Sequence, residues 1–303
     1  MLGIVMLNYN CWDLSINCIE SIKKTTHIDY KIYFVDNAST VKPSEKFNEF
    51  IASCDKIKFI KNKLNRGYAA GNNIGYKVAL EDGCQEILIT NNDVIFSDKC
   101  LDKLLDALHN NSHIGIIGPK VYTPNGTLQE INMGCKMTLK GKYLYIIRKT
   151  PLKRISAKFV RNFHAYDKDK SKPFEVYGVS GCCFMISSEC AKKLYPLDEN
   201  TFLYEEENII SHKVEKLGKK VIYYSPASIV HMGGESTKKL STFSYGCQVE
   251  SEIYYCRKYL NSNRFLLFPF VVIRTIIYIY YYGMKDFCIY FTRVKKCFIK
   301  NYN

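Results

Sequence analysis

At 303 residues the chain is long enough to bury a full core, as one large domain with an appendage or as two domains. Its thirteen cysteines are scattered without a Cys-x-x-Cys pair, and Met1 to Leu7 runs into a strand rather than a secretory leader. Reduced thiols are therefore expected, and a disulfide framework or zinc site is excluded. The net charge of +14 is uneven: residues 136–172 carry +10 and residues 236–303 carry +8, while the remainder is mildly acidic. Attraction for nucleic acid, anionic lipid or a phosphorylated substrate is thus confined to two segments.

Gly3 to Leu7 reads as an apolar first strand, with Asn8-Tyr9-Asn10 at its end. Asp13 to Ile22 has helical apolar spacing, and Lys31 to Val35 is a second strand ending in Asp36-Asn37-Ala38-Ser39-Thr40. At such a strand end, Asp36 suits a hydrogen bond from a base or ribose, or an Asx turn. Ile57 to Ile60 is a third strand. Asn65-Arg-Gly-Tyr-Ala-Ala-Gly-Asn-Asn-Ile-Gly75 follows and opens a helix to about Leu80. Its glycines permit close backbone approach, and N–H groups at a helix start bind anions, so a nucleotide diphosphate is the natural guest. The spacing is neither that of a dinucleotide fingerprint nor that of a Walker loop.

Glu86 to Asp93 is the organising stretch: an apolar strand giving out into Asn91, Asn92 and Asp93. A carboxylate beyond a strand end in an α/β sheet faces the expected cleft and suits a hard divalent cation that takes its other ligands from phosphate. An Asx turn is the alternative. Val94 to Phe96 leads to a helix starting near Ser97 or Asp98, then a strand at Ile114 to Gly118 and a hairpin-like excursion over residues 119–134. Residues 136–172 are basic and laced with aromatics; a solvated face is the simplest reading, and lipid headgroups or a lipid-linked diphosphate fit better beside the tail that follows. No recognised RNA- or DNA-binding motif accompanies the charge, so no nucleic-acid partner is expected. Cys182 to Ile186 is a buried strand, Glu205-Glu206-Glu207 opens a helix ended by Gly218, and Lys220 to Tyr224 is the last core strand, ended by Pro226. His231 follows in a glycine-rich loop.

These motifs, in this order, resemble the family 2 inverting glycosyltransferases, especially the bacterial rhamnosyltransferase-like branch that builds surface polysaccharides. The resemblance covers residues 2–235. It implies a GT-A α/β fold over residues 1–235 with a mostly parallel sheet flanked by helices, the basic insert 136–172 included, and residues 236–303 beyond it read as a C-terminal helical segment. It also implies transfer of a sugar from a UDP- or dTDP-sugar to a hydroxyl of a glycan or lipid-linked saccharide. Tyr9, Asn10, Asp36, Ser39, Asn65, Gly67, Gly71, Asn91 and Asn92 would contact the nucleotide. Asp93 and His231 would hold Mn2+ or Mg2+, although Asn91 stands where the family has its first carboxylate. Glu206 and Glu207 match the acidic pair. Its second member is the usual general base, which points to Glu207, although an aspartate is commoner there and either glutamate could serve. A sugar nucleotidyltransferase is disfavoured, because residues 8–14 hold no glycine. A membrane-bound sugar-nucleotide-binding protein without turnover is the alternative.

From Ser241 the character changes. Tyr254 to Lys258 reads as a helix returning over the core. Phe265 to Tyr282 is almost wholly apolar but short for a span and carries Arg274 near its middle. Phe287, Phe291, Val294 and Phe298 repeat at helical spacing among Lys and Arg. The expectation is an in-plane, membrane-surface tail on a cytoplasmic protein at the inner face of the cell membrane, with a single span as runner-up.

Overall fold

The computed structural model describes residues 1–130, 132–233 and 241–302. Four strands and the helices between them build the first half. β1 (Leu2–Asn8) leads to α1 (Trp12–Thr25), β2 (Tyr30–Asp36), α2 (Glu45–Ala52), β3 (Ile57–Lys61), α3 (Tyr68–Glu81) and β4 (Glu86–Asn91). β1 and β4 are buried along nearly their whole length, as continuous apolar runs in a sheet covered on both faces must be. α2, absent from the sequence reading, is capped by the Ser44 side chain accepting the Phe47 N–H.

The second half adds β5 (Val94–Phe96), α4 (Cys100–His109), β6 (Ile114–Tyr122), α5 (Leu139–Ile147), α6 (Lys153–Phe163), β7 (Phe174–Val176), β8 (Cys183–Ile186), α7 (Ser188–Leu194), α8 (Glu206–Lys216) and β9 (Lys220–His231). The sheet order is β3-β2-β1-β4-β8-β6-β9-β5, with β7 pairing to β9. β3, β2, β1 and β4 are parallel neighbours, as expected. Beyond β4 the sheet is mixed: β8 runs antiparallel to both neighbours and β6 pairs parallel with β9. Apolar side chains fill the two faces of this sheet as two separate clusters.

Three local expectations are corrected. Val94 to Phe96 leads to a helix as expected, but it is itself a strand, because β9 offers it a ladder, and the helix starts at Cys100 rather than near Ser97 or Asp98. Pro226 does not end β9. Register jumps between Pro119–Tyr224 and Lys120–Ser228, so Pro226 sits in a bulge that needs no donor from it, and the strand runs on to His231. The insert is not merely a solvated face, since it forms α5 and α6 and buries Lys142 and Phe163.

The tail folds as α9 (Thr242–Lys258), α10 (Arg264–Tyr282) and α11 (Phe287–Ile299). A reciprocal Ser241–Ser244 capping box starts α9. α9 is buried along much of its length, and α10 and α11 lie against it, with Leu139, Tyr143 and Ile146 of α5 joining the same apolar cluster. Residues 234–236 of the glycine-rich loop after His231, and with them the expected 235/236 boundary, lie outside the described residues.

Candidate active site

Asn92 and Asp93 make the turn between β4 and β5. β5 pairs antiparallel with β9, Val94 opposite His231, and the Met232 N–H donates to the Asp93 carbonyl at 2.9 Å. Backbone pairing thus delivers His231 to Asp93 from far along the chain. His231 Nε2 lies 3.3 Å from Asp93 Oδ1. Both atoms are sealed from solvent and neither has a hydrogen-bond partner. Such groups are costly to leave unpaired, and a divalent cation bridging the carboxylate oxygen and the imidazole would satisfy both. Among the described residues no cluster of three or more His, Cys, Asp or Glu side chains is placed to hold a metal. The other ligands would therefore come from phosphate and water.

Asp93 and His231 line a cleft of about 560 Å³ whose walls include Tyr9, Asn37, Asn65, Asn91, Phe202 and Phe243. That volume suits a small-molecule ligand. The other expected nucleotide residues divide. Gly67 and Asn92 also border the cleft. Asn65 Oδ1 accepts the Gly67 N–H and the Asn37 amide, both at 2.9 Å, which shapes the turn into α3. Gly67 holds φ of 96°, and a Cβ there would meet the Phe202 carbonyl oxygen at 2.2 Å, so only glycine fits. Asn10, Ser39 and Gly71 do not line the cleft. Asn10 Oδ1 accepts the Thr40 and Val41 N–H groups, and Ser39 Oγ accepts the Asn10 N–H, tying the β1 and β2 tails together. Gly71 lets α3 approach Leu7.

Asp36 is buried at the end of β2, with Oδ1 accepting the Ser39 N–H at 3.1 Å, and it is the adjacent Asn37 that borders the cleft. Asn92 points its amide inward, donating to Asn8 Oδ1, Ser15 Oγ and the Cys11 carbonyl. Asn8, fully buried, accepts also from the Cys11 N–H. This network braces the Asp93 turn against the start of α1. Sequence reasoning passed over Asn8 and Asn37, whose one signal was amides directly at strand ends.

Glu206 and Glu207 begin α8 and line a small adjoining cavity, which meets the cleft across Tyr68. Tyr68 was missed by the sequence reading. Its hydroxyl donates to the Gly181 carbonyl at 2.6 Å, while the Gly181 N–H donates to Glu207 Oε1 at 3.1 Å. A Cβ on Gly181 would come within 2.7 Å of that oxygen, so the glycine is what admits the carboxylate. Burial, and then the neighbouring Glu207 charge, push Glu206 well above the usual carboxylate range, and its Oε1 is sealed off without a partner. The two carboxyls thus share one site with different surroundings: Glu206 Oε1 is sealed off without a partner, while Glu207 Oε1 accepts the Gly181 N–H.

Tyr204 and Glu205 precede the pair with φ of 75° and 69°. Side chains rarely adopt this conformation, and surrounding structure must hold it. Glu205 Oε1 accepts from Lys142 Nζ of α5 at 2.8 Å, and Oε2 accepts from the Asn208 amide. Lys142 Nζ also lies 3.8 Å from Glu252 of α9, which Arg274 of α10 contacts in turn. Burial pulls Lys142 down, but the Glu205 and Glu252 charges outweigh it and leave the lysine above its ordinary value.

Residues 3–195 match the profile described as Glycosyl transferase family 2. The chain belongs to that family. As a family 2 member it is 26% identical over 218 residues to the low-salt glycan biosynthesis hexosyltransferase Agl10 of Haloferax volcanii, covering 68% of this chain and 59% of that one. It is 23% identical over 155 residues to an N-acetylglucosaminyl-diphospho-decaprenol L-rhamnosyltransferase of Mycobacterium tuberculosis, covering 50% of this chain and 48% of that one. The chain spans about half the length of the curated relatives it matches. In fold this family 2 protein is similar to GalNAc-T7 solved with UDP, GalNAc and Mn2+ (TM-score 0.58, 15% identity, 82% of this chain and 48% of that one). It is similar also to the mannosyltransferase PcManGT of Pyrobaculum calidifontis solved with GDP-Man and Mn2+ (TM-score 0.58, 12% identity, 86% and 64%). The fold is thus of the GT-A type.

Proposed function

We propose that the protein is an inverting glycosyltransferase. It would move a sugar from a UDP- or dTDP-sugar to a hydroxyl of a glycan or lipid-linked saccharide, in cell-surface polysaccharide synthesis at the cytoplasmic face of the membrane. The observation that carries the reading is the pairing of two sites across Tyr68. One is a cleft with two unpartnered buried metal-type ligands, and the other is a cavity with two carboxyls in unlike environments. Membership of family 2 supports the reaction class, and the relative that acts on a diphospho-decaprenol supports a lipid-linked acceptor.

In this reading the nucleotide lies against Tyr9, Asn37, Asn65 and the Gly67–Tyr68 start of α3, all of which line the cleft. Asp93 and His231 are the residues that would hold Mn2+ or Mg2+, whose chemistry when bound is to offset negative charge on the diphosphate. The acceptor oxygen bonds to the anomeric carbon as the carbon–oxygen bond to the diphosphate breaks, and the nucleoside diphosphate leaves. The acceptor proton passes to Glu207, aligned by the Gly181 N–H. Glu206, which burial pushes toward its protonated form, is the supporting member of the pair.

Release of nucleoside diphosphate from a panel of sugar nucleotides, with Mn2+ and a saccharide acceptor, tests the proposal. Transfer to the acceptor supports it. Tight sugar-nucleotide binding without release under any acceptor would identify a binding protein instead.

A further inference from the structure

We propose that α10 and α11 form a docking face for an anionic lipid leaflet, with α10 lying in the plane of the bilayer rather than crossing it. The inference is independent of the transfer chemistry.

α10 is a 19-residue helix with an 18-residue stretch of mean hydropathy 1.7, long enough to span by length and composition. One side of it is buried: Leu267, Phe270 and Tyr278 pack on α9 and α11. The other is bare, with Phe265 84%, Ile276 60% and Tyr280 81% exposed, and α11 continues the apolar exposure with Ile289 62% and Phe291 48%. Isolated exposed apolar side chains are ordinary, but two adjacent helices presenting them together mark an interaction surface.

Three observations choose the occupant and its orientation. First, Arg274, midway along α10, pairs with buried Glu252 of α9, and Tyr245 donates to the Arg274 carbonyl at 3.0 Å. A spanning α10 would have to leave α9, exposing this pair to hydrocarbon, whereas an in-plane helix keeps it. Second, no charged side chain lies on α10 between Arg264 and Arg274 or between Arg274 and Tyr282. Cations are instead placed at the borders: Lys285 in the α10–α11 turn, and Lys295, Lys296 and Lys300 at the far end of α11, all exposed. An apolar strip edged by lysines is complementary to lipid tails below a layer of anionic headgroups. Third, the face adjoins the cleft. Thr242 donates to Asp286 of the same turn at 2.7 Å, and Arg293 of α11 stacks on the cleft residue Phe243. A leaflet on this face would therefore lie beside the cleft wall.

The test uses the full chain and vesicles of phosphatidylcholine with and without phosphatidylglycerol. Co-flotation with the anionic vesicles is expected. Val272→Asp/Ile276→Asp, two exposed positions, should lower partitioning at least about tenfold while circular dichroism stays unchanged. Lys295→Gln/Lys296→Gln/Lys300→Gln should weaken anionic-vesicle binding on the order of 10²-fold. Orientation is read from Phe265→Trp, Val272→Trp and Tyr280→Trp, each quenched by lipids brominated at different depths. At about 1.5 Å per residue, a span would set Val272 about 10 Å deeper than Phe265, whereas the in-plane helix places all three at one shallow depth. A deep Val272 signal overturns the orientation. Absence of vesicle binding overturns the face, as does a dimer in sedimentation velocity that Val272→Asp/Ile276→Asp dissociates while vesicles fail to compete. An Asp93→Asn variant should bind vesicles as the parent does, so loss of transfer and loss of docking are separately visible.

Discussion

Lys142→Met removes the cation that, among the described residues, contacts Glu205. The ammonium sits 2.8 Å from Glu205 and 3.8 Å from Glu252, with side-chain exposures of 4%, 9% and 5% for the three groups. Methionine fills similar space but leaves a buried carboxylate opposite an apolar chain. Removing one partner of a buried pair costs about 3–5 kcal/mol, a large share of the roughly 5–15 kcal/mol by which a domain is stable. Urea denaturation should show that loss at pH 8. Glu205 already stands above its ordinary value, by burial first, and without Lys142 it rises further. A carboxyl whose folded pKa exceeds its unfolded one loses stability as pH rises through the folded value, so the deficit should be smaller at pH 5 than at pH 8. Because Glu205 holds the left-handed turn into α8, turnover should fall as well. Adding Glu205→Gln should restore much of the stability. A cost below about 1 kcal/mol, or a double variant no more stable than the single one, would refute the view that this pair braces the acidic helix.

The remaining expectations concern the site itself. Asp93→Ala should abolish metal-dependent donor binding measured by calorimetry, whereas Asp106→Ala on α4 should leave it intact, and equal donor affinity with and without chelator would count against a metal role. Glu207→Gln should lower turnover by roughly 10²–10⁴-fold with donor binding close to normal. A greater loss in Glu206→Gln would reverse the assignment of the pair. Gly67→Ala places a Cβ 2.2 Å from the Phe202 carbonyl at a φ of 96°, so donor affinity should drop at least about tenfold and thermal stability should fall by a few degrees. Unchanged donor affinity there would mean the α3 start does not shape the nucleotide wall.

Much of the first half was legible in sequence because each signal is local. The apolar runs of β1, β2 and β4 are buried strands whichever neighbours they find, and the amides and carboxylates that follow them must lie at strand ends. Asn65 to Gly75 announces a glycine-shaped helix entry for the same reason. Side-chain direction is less local. Asp36 and Asn37 are adjacent, yet Asp36 turns to the Ser39 N–H and Asn37 borders the cleft, and Asn92 faces the Asn8 network while its neighbour Asp93 faces His231.

What only the tertiary structure decided are the pairings between distant segments. Pro226 reads as a strand end, but a bulge in β9 against β6 carries the strand past it, and β5 then draws His231 to Asp93. Lys142 is one of twelve basic residues in a segment that reads as an exposed basic surface, and only the approach of α5 to Glu205 and Glu252 makes it their buried partner. Arg274 marks α10 as a poor span in sequence, while its partner Glu252 becomes evident only once α9 lies beside it. Periodicity reports whether a residue is inside or outside its own element. Which element it meets there is set by loop closure and burial summed over the whole chain, and no local pattern records that.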